Sequence, residues 1–329
     1  MSAARALLWL LAAAAVLIGL GIAIGSSGWS PPWAGGDGGG NALILWEIRL
    51  PRSLGAWAAG ALLGLGGAIA QGLFRNPLAD PYLLGSASGA SLAVAVALAV
   101  FGVGAAPAHW LAQFGLTGAA FIGSLAAVLL TLAMAKGMQQ GLRLLLAGVV
   151  VGVVLGAVKE LILLATPQIM RSMQSFMLGT TGFIGWSGVG TMLAVLAVCL
   201  FGSLAGRRAL DALALGESTA RSLGVQLGLA RSLLVATMAL ATAAAVAQAG
   251  LIAFVGLVAP HLVRSLGFGS HGGLLLLSAA GGGVLLLAAD VAARWVVAPQ
   301  ELPVGLITAV LGGGYLLWLM HTRPIGITR

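Results

Sequence analysis

Apolar residues fall in long blocks along this chain, separated by short joints where charge, proline and glycine collect. A helix needs about 20 apolar residues to cross about 30 Å of hydrocarbon. Cutting the chain at its joints therefore predicts ten helices, at 6–25, 53–74, 87–104, 116–135, 143–165, 186–205, 231–250, 253–266, 273–294 and 304–321. The third and eighth are short for a full crossing and are expected as tilted or half-buried helices. Arg5 precedes the first block, which runs to about Ile24 with no small-x-small cleavage site closing it, so it reads as a span rather than a signal peptide.

Four joints look structured. Ser26 to Asn41 is rich in Gly, Pro and Trp, consistent with a loop whose Trp29 and Trp33 rest at the lipid headgroups. Thr166 to Gly185 has Pro167 at a first helical turn, then Met170, Met173 and Met177 at spacings that align them on one side of a short helix. Asn76 to Ser88 carries Pro77 and Pro81. Gly206 to Arg231 is amphipathic: Glu217 and Arg221 stand at i and i+4, and Leu213, Leu215, Ala220 and Leu223 supply an apolar face. Within the blocks, Gly60-Ala-Leu-Leu-Gly64 and Gly148-Val-Val-Val-Gly152 put small residues on one helix face, the pattern of close helix packing. A faint inverted repeat relates Ser53 to Ser88 with Arg231 to Ser265.

Composition removes the soluble alternative. Of 329 residues 60% are hydrophobic and 7% charged, with a mean hydropathy of +1.07, so polar side chains are too few to cover a globule in water. The net charge of +8 belongs to bilayer orientation rather than to nucleic-acid binding. With the N-terminus cytoplasmic, ten spans put Arg5, Arg75, Lys136, Arg143, Arg207, Arg208, Arg221, Arg231, Arg264, Arg323 and Arg329 inside, against Arg49, Arg52, Arg171 and Arg294 outside. Removing one span would destroy this asymmetry. The expectation is a multi-pass protein of the bacterial inner membrane, one all-α domain over 1–329 with both termini cytoplasmic. Cys199, alone in an apolar block, reads as lipid-facing or core packing.

Ionisable groups at membrane depth are the default functional candidates, and here they are Lys159, Glu160, Asp290 and Arg294. Asp290 and Arg294 at i and i+4 neutralise each other, and Lys159 is expected to snorkel outward beside Glu160. His109, His261, His271 and His321 have no ligand spacing, so no metal site is expected. The sequence lacks a nucleophile elbow, an HExxH helix and the Gly-Lys-Ser/Thr of a phosphate loop. No catalytic residue or cofactor is therefore assigned, and any ATP that drives this protein is bound by another chain.

Several strings carry a family resemblance. Arg49-Leu-Pro-Arg52, Gln71-Gly-Leu-Phe-Arg-Asn-Pro-Leu-Ala-Asp-Pro81 and Leu83-Leu-Gly-Ser-Ala-Ser-Gly-Ala90 resemble the permeases of FecCD-type, type II ABC importers for iron-siderophores, haem and cobalamin. So do Leu215-Gly-Glu-Ser-Thr-Ala-Arg-Ser-Leu-Gly-Val225, Phe254-Val-Gly-Leu-Val-Ala-Pro-His-Leu-Val-Arg264 and Glu301-Leu-Pro-Val-Gly305. The resemblance implies a homodimer around a central pathway, with two cytoplasmic ABC ATPases below and a periplasmic binding protein above. It places Arg49, Arg52 and Arg294 against acidic residues of the binding protein, a role suited to charge-assisted bonds. Leu215, Gly216, Glu217 and Arg221 fall in coupling helices over about 211–225 that an ATPase grips. The inner gate corresponds to Leu78 and to Gly141-Leu142, where the hydroxyl pair of some relatives is missing; an apolar constriction closes by excluding water.

For the substrate, Met170, Arg171, Met173 and Met177 at the outer mouth present soft surface and one cation to an amphipathic ring, which favours haem slightly over cobalamin or a siderophore. An ion-coupled secondary transporter is disfavoured by the scarcity of buried carboxylates, and a membrane enzyme by the missing catalytic set.

Overall fold

A computed structural model describes residues 2–25, 28–31, 39–102, 109–135, 141–268 and 270–322, with backbone alone at 39–41, 109–114 and 141. Trp33, Lys136, Arg323, Arg329 and the side chain of His109 lie outside the described residues.

Each of the ten apolar blocks is a helix. They are α1 (Ala3–Ala23), α3 (Leu50–Phe74), α4 (Ser86–Phe101), α5 (His109–Met134), α6 (Gly141–Ala165), α8 (Trp186–Ala205), α11 (Leu227–Ala249), α12 (Val255–Ser265), α13 (His271–Trp295) and α14 (Val304–Thr322). Eight are long and apolar enough to cross a membrane; α4, of 16 residues, and α12, of 11, are the two short ones expected. The joints add α2 (Gly39–Ile44), α7 (Met170–Leu178), α9 (Arg207–Ala214) and α10 (Glu217–Ser222). A π-helical turn at Leu45–Arg49 makes α2 continuous with α3, and a two-stranded ribbon pairs β1 (Ile24–Gly25) with β2 (Gly28–Trp29).

The interior is organised around α3 and α13. In the most apolar stretch of α3, 89% of residues are buried, against 17% in α6, so α3 is central and α6 leaves most of its surface to lipid or another chain. The small-residue motif explains why α3 can sit there. A methyl group on Gly60 would fall on the carbonyl oxygen of Gly282 in α13, and one on Gly64 on that of Ser278. The two backbones therefore touch, as small residues at four-residue spacing permit. Gly148 in α6 meets the Leu83 carbonyl in the same way.

Helix α12 is bounded by Phe254 and Gly267, both in the left-handed conformation, and Pro260 inside it leaves the Gly256 carbonyl without its helical donor. That carbonyl faces Gly67 of α3, and the buried Gln71 amide donates to the next one, Leu257, at 3.1 Å. Cys199 packs in the core, its thiol directed at the Thr237 carbonyl at 3.5 Å.

Helices α1 and α13 run in the same direction. Ala3 lies against Gly273 at their starts, and Arg294 donates to the Gly21 carbonyl at their finishes. The end of the bundle holding the starts of α1 and α13 is the near end; the other is the far end.

Candidate functional site

The resemblance places candidate residues at both ends of the bundle. At the far end, Asp290 of α13 is fully buried and Arg294 and Arg52 are nearly so, at 1% and 9% exposed. Burying an ion is expensive unless it is paired and hydrogen-bonded. Here both conditions hold. Arg294 pairs with Asp290 Oδ2, as the i,i+4 spacing predicts, and donates to Ser53 Oγ at 3.3 Å and to Gly21 O at 2.8 Å. Arg52 Nε donates to Asp290 Oδ1 at 3.2 Å, and its Nη1 donates to both carboxylate oxygens of Glu301 at 2.8 and 3.0 Å. Thr181, from the joint after α7, also donates to Asp290 Oδ1.

Two guanidinium groups and two carboxylates thus make a cluster of no net charge tying α1, α3, α13 and the residues just before α14 together. Both guanidinium groups are committed to carboxylates of their own chain, Arg294 to Asp290 and Arg52 to Asp290 and Glu301, because desolvation demands it. Arg49 differs. Its guanidinium donates to Ile22 O, Ser30 O and Ser30 Oγ at 2.8, 2.7 and 2.8 Å, and among the described residues it forms no ion pair. Its positive charge is held in place by three backbone and hydroxyl oxygens.

Beside this cluster, α7 carries the methionine stripe, which divides. Met173 is buried at 1% exposure beside Ile169, whereas Met170, Met177 and Arg171 are exposed. Lys159 pairs with Glu160 at 2.8 Å as expected, yet its side chain is buried instead of reaching outward, with its ammonium 3.6 Å from the Met177 sulfur.

At the near end, the chain leaves α3 through Arg75 in the left-handed conformation and turns along 76–85. Asn76 Oδ1 accepts from Leu78 N at 2.9 Å, and Asp80 Oδ1 accepts from Tyr82 N at 2.8 Å, so each side chain fixes the turn that follows it. Burial raises the Asp80 carboxyl from 3.8 to about 6, with the Tyr82 bond pulling the other way. Leu78 and Leu142 are exposed, and Gly141 is the first residue of α6.

The amphipathic joint forms α9 and α10, separated by Gly216, whose φ of +110° suits only glycine. Leu210 and Leu213 of α9 are buried in the core of the bundle, while Leu215 and Leu223 are exposed at 67% and 63%. The single apolar face expected from Leu213, Leu215, Ala220 and Leu223 is therefore split into an anchoring half and an exposed half. Glu217 pairs with the buried Arg231 of α11, not with Arg221, because a desolvated guanidinium outranks an exposed one as partner. Arg221 is exposed. Asp211 of α9 reaches His271 at the start of α13.

A far end of buried, paired charges and an exposed near-end segment suit a conduit operated by partners. A model of the FecCD transport family matches residues 7–322. The chain belongs to this family. It is 37% identical over 295 residues to the vitamin B12 import system permease protein BtuC of Klebsiella pneumoniae, covering 89% of this chain and 86% of that one. To the BtuC protein of an Escherichia coli strain it is 38% identical over 279 residues, covering 84% and 83%. Among solved structures it superposes with a TM-score of 0.85 and 25% identity on an inward-facing transporter assigned to the metal-chelate ABC type, over 98% of this chain and all of that one. The PsaBC complex of Streptococcus pneumoniae shares the fold at a TM-score of 0.58 and 16% identity, over 86% and 95%. The protein is thus the multi-pass permease of an ABC importer, working with binding-protein and ATPase partners, and ATP hydrolysis belongs to a separate subunit.

Sequence reasoning found Arg49, Arg52, Asp290 and Arg294 but missed that Glu301 and Thr181 complete their cluster. It also passed over Asp211 and His271 as a pair. Glu301 opens one of the strings that carry the family resemblance, yet nothing local connects it with Arg52, 249 residues away.

Proposed function

We propose that this permease imports a cobalamin-type corrinoid, as a homodimer whose near end is cytoplasmic and whose far end receives a periplasmic binding protein. The observation that carries the substrate is the identity of 37 to 38% with vitamin B12 import permeases over more than four-fifths of both chains. Cobalamin therefore replaces haem as the favoured ligand. The exposed Met170 and Met177 of α7 suit handover of a large, partly apolar ring, with affinity residing in the binding protein. The orientation follows from the excess of Lys and Arg in joints assigned to the near end.

In this reading Arg49 meets an acidic residue of the binding protein directly, and Arg52 does so by exchanging Glu301 for the incoming carboxylate. Arg294 acts from behind, holding Asp290. Leu215, Gly216, Glu217 and Arg221 form the surface that the ATPase grips, with Leu215 and Leu223 as apolar contacts. ATP-driven approach of the two ATPases moves this surface and alternates access of the pathway. Leu78, with Leu142 beside Gly141, closes the cytoplasmic mouth by excluding water.

The deciding experiment reconstitutes the permease with its ATPase and binding protein in proteoliposomes and measures ATP-dependent uptake of cyanocobalamin, haem and a ferric hydroxamate. Uptake of cyanocobalamin well above the other two is expected. Preference for haem or the hydroxamate would overturn the substrate, and uptake without ATPase would overturn the drive.

A further inference from the structure

Helix α13 begins without a cap of its own. Ser270 occupies the N-cap position with extended backbone, but its side chain accepts no bond from the helix. The first turn of a helix leaves backbone N–H groups unsatisfied and carries partial positive charge, so an oxygen acceptor there is stabilising. The acceptor comes from another element. Asp211 Oδ1 of α9 accepts from the His271 backbone N–H at 3.0 Å and from the same residue's ring Nδ1 at 2.7 Å, a pair of hydrogen bonds across 60 residues of chain. The His271 side chain is 11% exposed and that of Asp211 46%, so the histidine belongs to the bundle and the aspartate to the surface segment.

Two neighbours keep the joint tight. A methyl group on Gly72 of α3 would meet Leu210 at 3.0 Å and the His271 ring at 3.3 Å, so α3, α9 and α13 converge there. Arg207, the first residue of α9, lies over Gly272, where an added methyl would stand 3.4 Å from its Cδ. From this joint α13 runs for 25 residues, and Asp290 and Arg294, the centre of the far-end cluster, lie near its other end.

We propose that Asp211 is a positioning residue through which the α9–α10 segment moves α13, making the Asp211–His271 bond the joint that converts ATPase closure into helix movement. This rests on the reading that α9–α10 faces the ATPase. Leu210 and Leu213 anchor α9 by shape, which tolerates sliding. The Asp211 carboxylate is directional, and it holds the backbone as well as the side chain of its target, so a displacement of α9 reaches the axis of α13.

The test measures cobalamin transported per ATP hydrolysed by the reconstituted complex, with ATPase association measured in parallel by co-purification. Asp211→Ala should leave ATPase association and hydrolysis within about twofold of the original and lower transport per ATP about tenfold. His271→Ala should do the same, and the double variant should be no worse than either single, because residues acting as one unit are not additive. Asp211→Asn keeps an oxygen acceptor of comparable capping strength and should retain most of the coupling. Loss of transport and hydrolysis in equal proportion, multiplied losses in the double variant, or a deficit in Asp211→Asn as deep as in Asp211→Ala would each overturn the proposal. Loss of ATPase association in Asp211→Ala would overturn it too, by making Asp211 a contact instead of a joint. Leu215→Ser with Leu223→Ser tests the underlying reading separately: unchanged ATPase association there would mean that the segment does not face the ATPase. Should Asp211→Ala not fold, His271→Ala and Asp211→Asn decide the proposal by the same criteria.

Discussion

The two ends of α13 are both fastened by an aspartate, in opposite ways. At the far end Asp290 lies on the helix itself, fully buried, and gathers Arg294, Arg52 and Thr181 around it. At the near end Asp211 lies off the helix on a surface segment and reaches in to one residue. A buried cluster is stable as a whole and intolerant of losing a member, whereas a pair with one half-exposed partner loses less when that partner is removed, because water can reach its place. The far end therefore fixes which helices are neighbours, and the near end is where the arrangement can change.

The sharpest way to break this contrast is Asp290→Ala. It strands the buried Arg294 guanidinium and leaves Arg52 with Glu301 alone, and the loss should be about 3–5 kcal/mol, read as failure to recover folded permease in detergent or a steep drop in Tm. Asp211→Ala should destabilise by only about 1 kcal/mol, the value of a cap. Comparable losses at the two sites would erase the distinction.

Next in size is Asp80→Asn, a second near-end carboxylate but one that opposes folding. Its raised pKa means that the protonated form is favoured in the fold, so its ionisation subtracts stability progressively from about pH 4 to about pH 6 and by a constant amount above. The asparagine keeps the acceptor for Tyr82 and removes the charge. It should raise Tm above pH 6, with about 2 kcal/mol at stake, and leave it unchanged below pH 4. A gain independent of pH would discard this account.

Within the far end, Arg49 and Arg52 should separate as well. Arg49→Glu should weaken binding-protein association by about 2 kcal/mol, with a dependence on salt that the original shows and the variant lacks. Arg52→Glu should injure the fold first, since it sets a third carboxylate against Asp290 and Glu301. The smallest effect is expected from Glu301→Gln, which frees half of the Arg52 fork at a rim that is 30% exposed. Binding-protein affinity should rise a few-fold at low salt, about 0.5–1 kcal/mol, and a fall would show that Glu301 is needed in place.

Much of this was legible in the chain itself. All ten helices follow from apolar blocks, because a lipid solvent demands continuous runs and leaves little room for ambiguity. The Gly60 to Gly64 motif announced a close helix contact without naming α13 as the partner, and the spacing of Asp290 and Arg294 announced their pair. What stayed hidden lies across elements. Arg52 with Glu301, Asp211 with His271 and Glu217 with Arg231 are separated by 249, 60 and 14 residues, and no periodicity reports such distances. Local rules even misdirected one choice, giving Glu217 to Arg221 on the same short helix when desolvation assigns it to Arg231.

The seam between α3 and α13 carries a thermodynamic consequence of its own. Where Gly60 and Gly64 meet Gly282 and Ser278, backbone touches backbone, and almost no rotamers are frozen when the two helices come together. Long side chains such as Met lose about 1.5–2 kcal/mol of conformational freedom on being ordered, and glycine side chains lose none. Sliding along such a seam therefore neither releases nor consumes side-chain entropy, which leaves the polar joints at its two ends to decide where the helices come to rest.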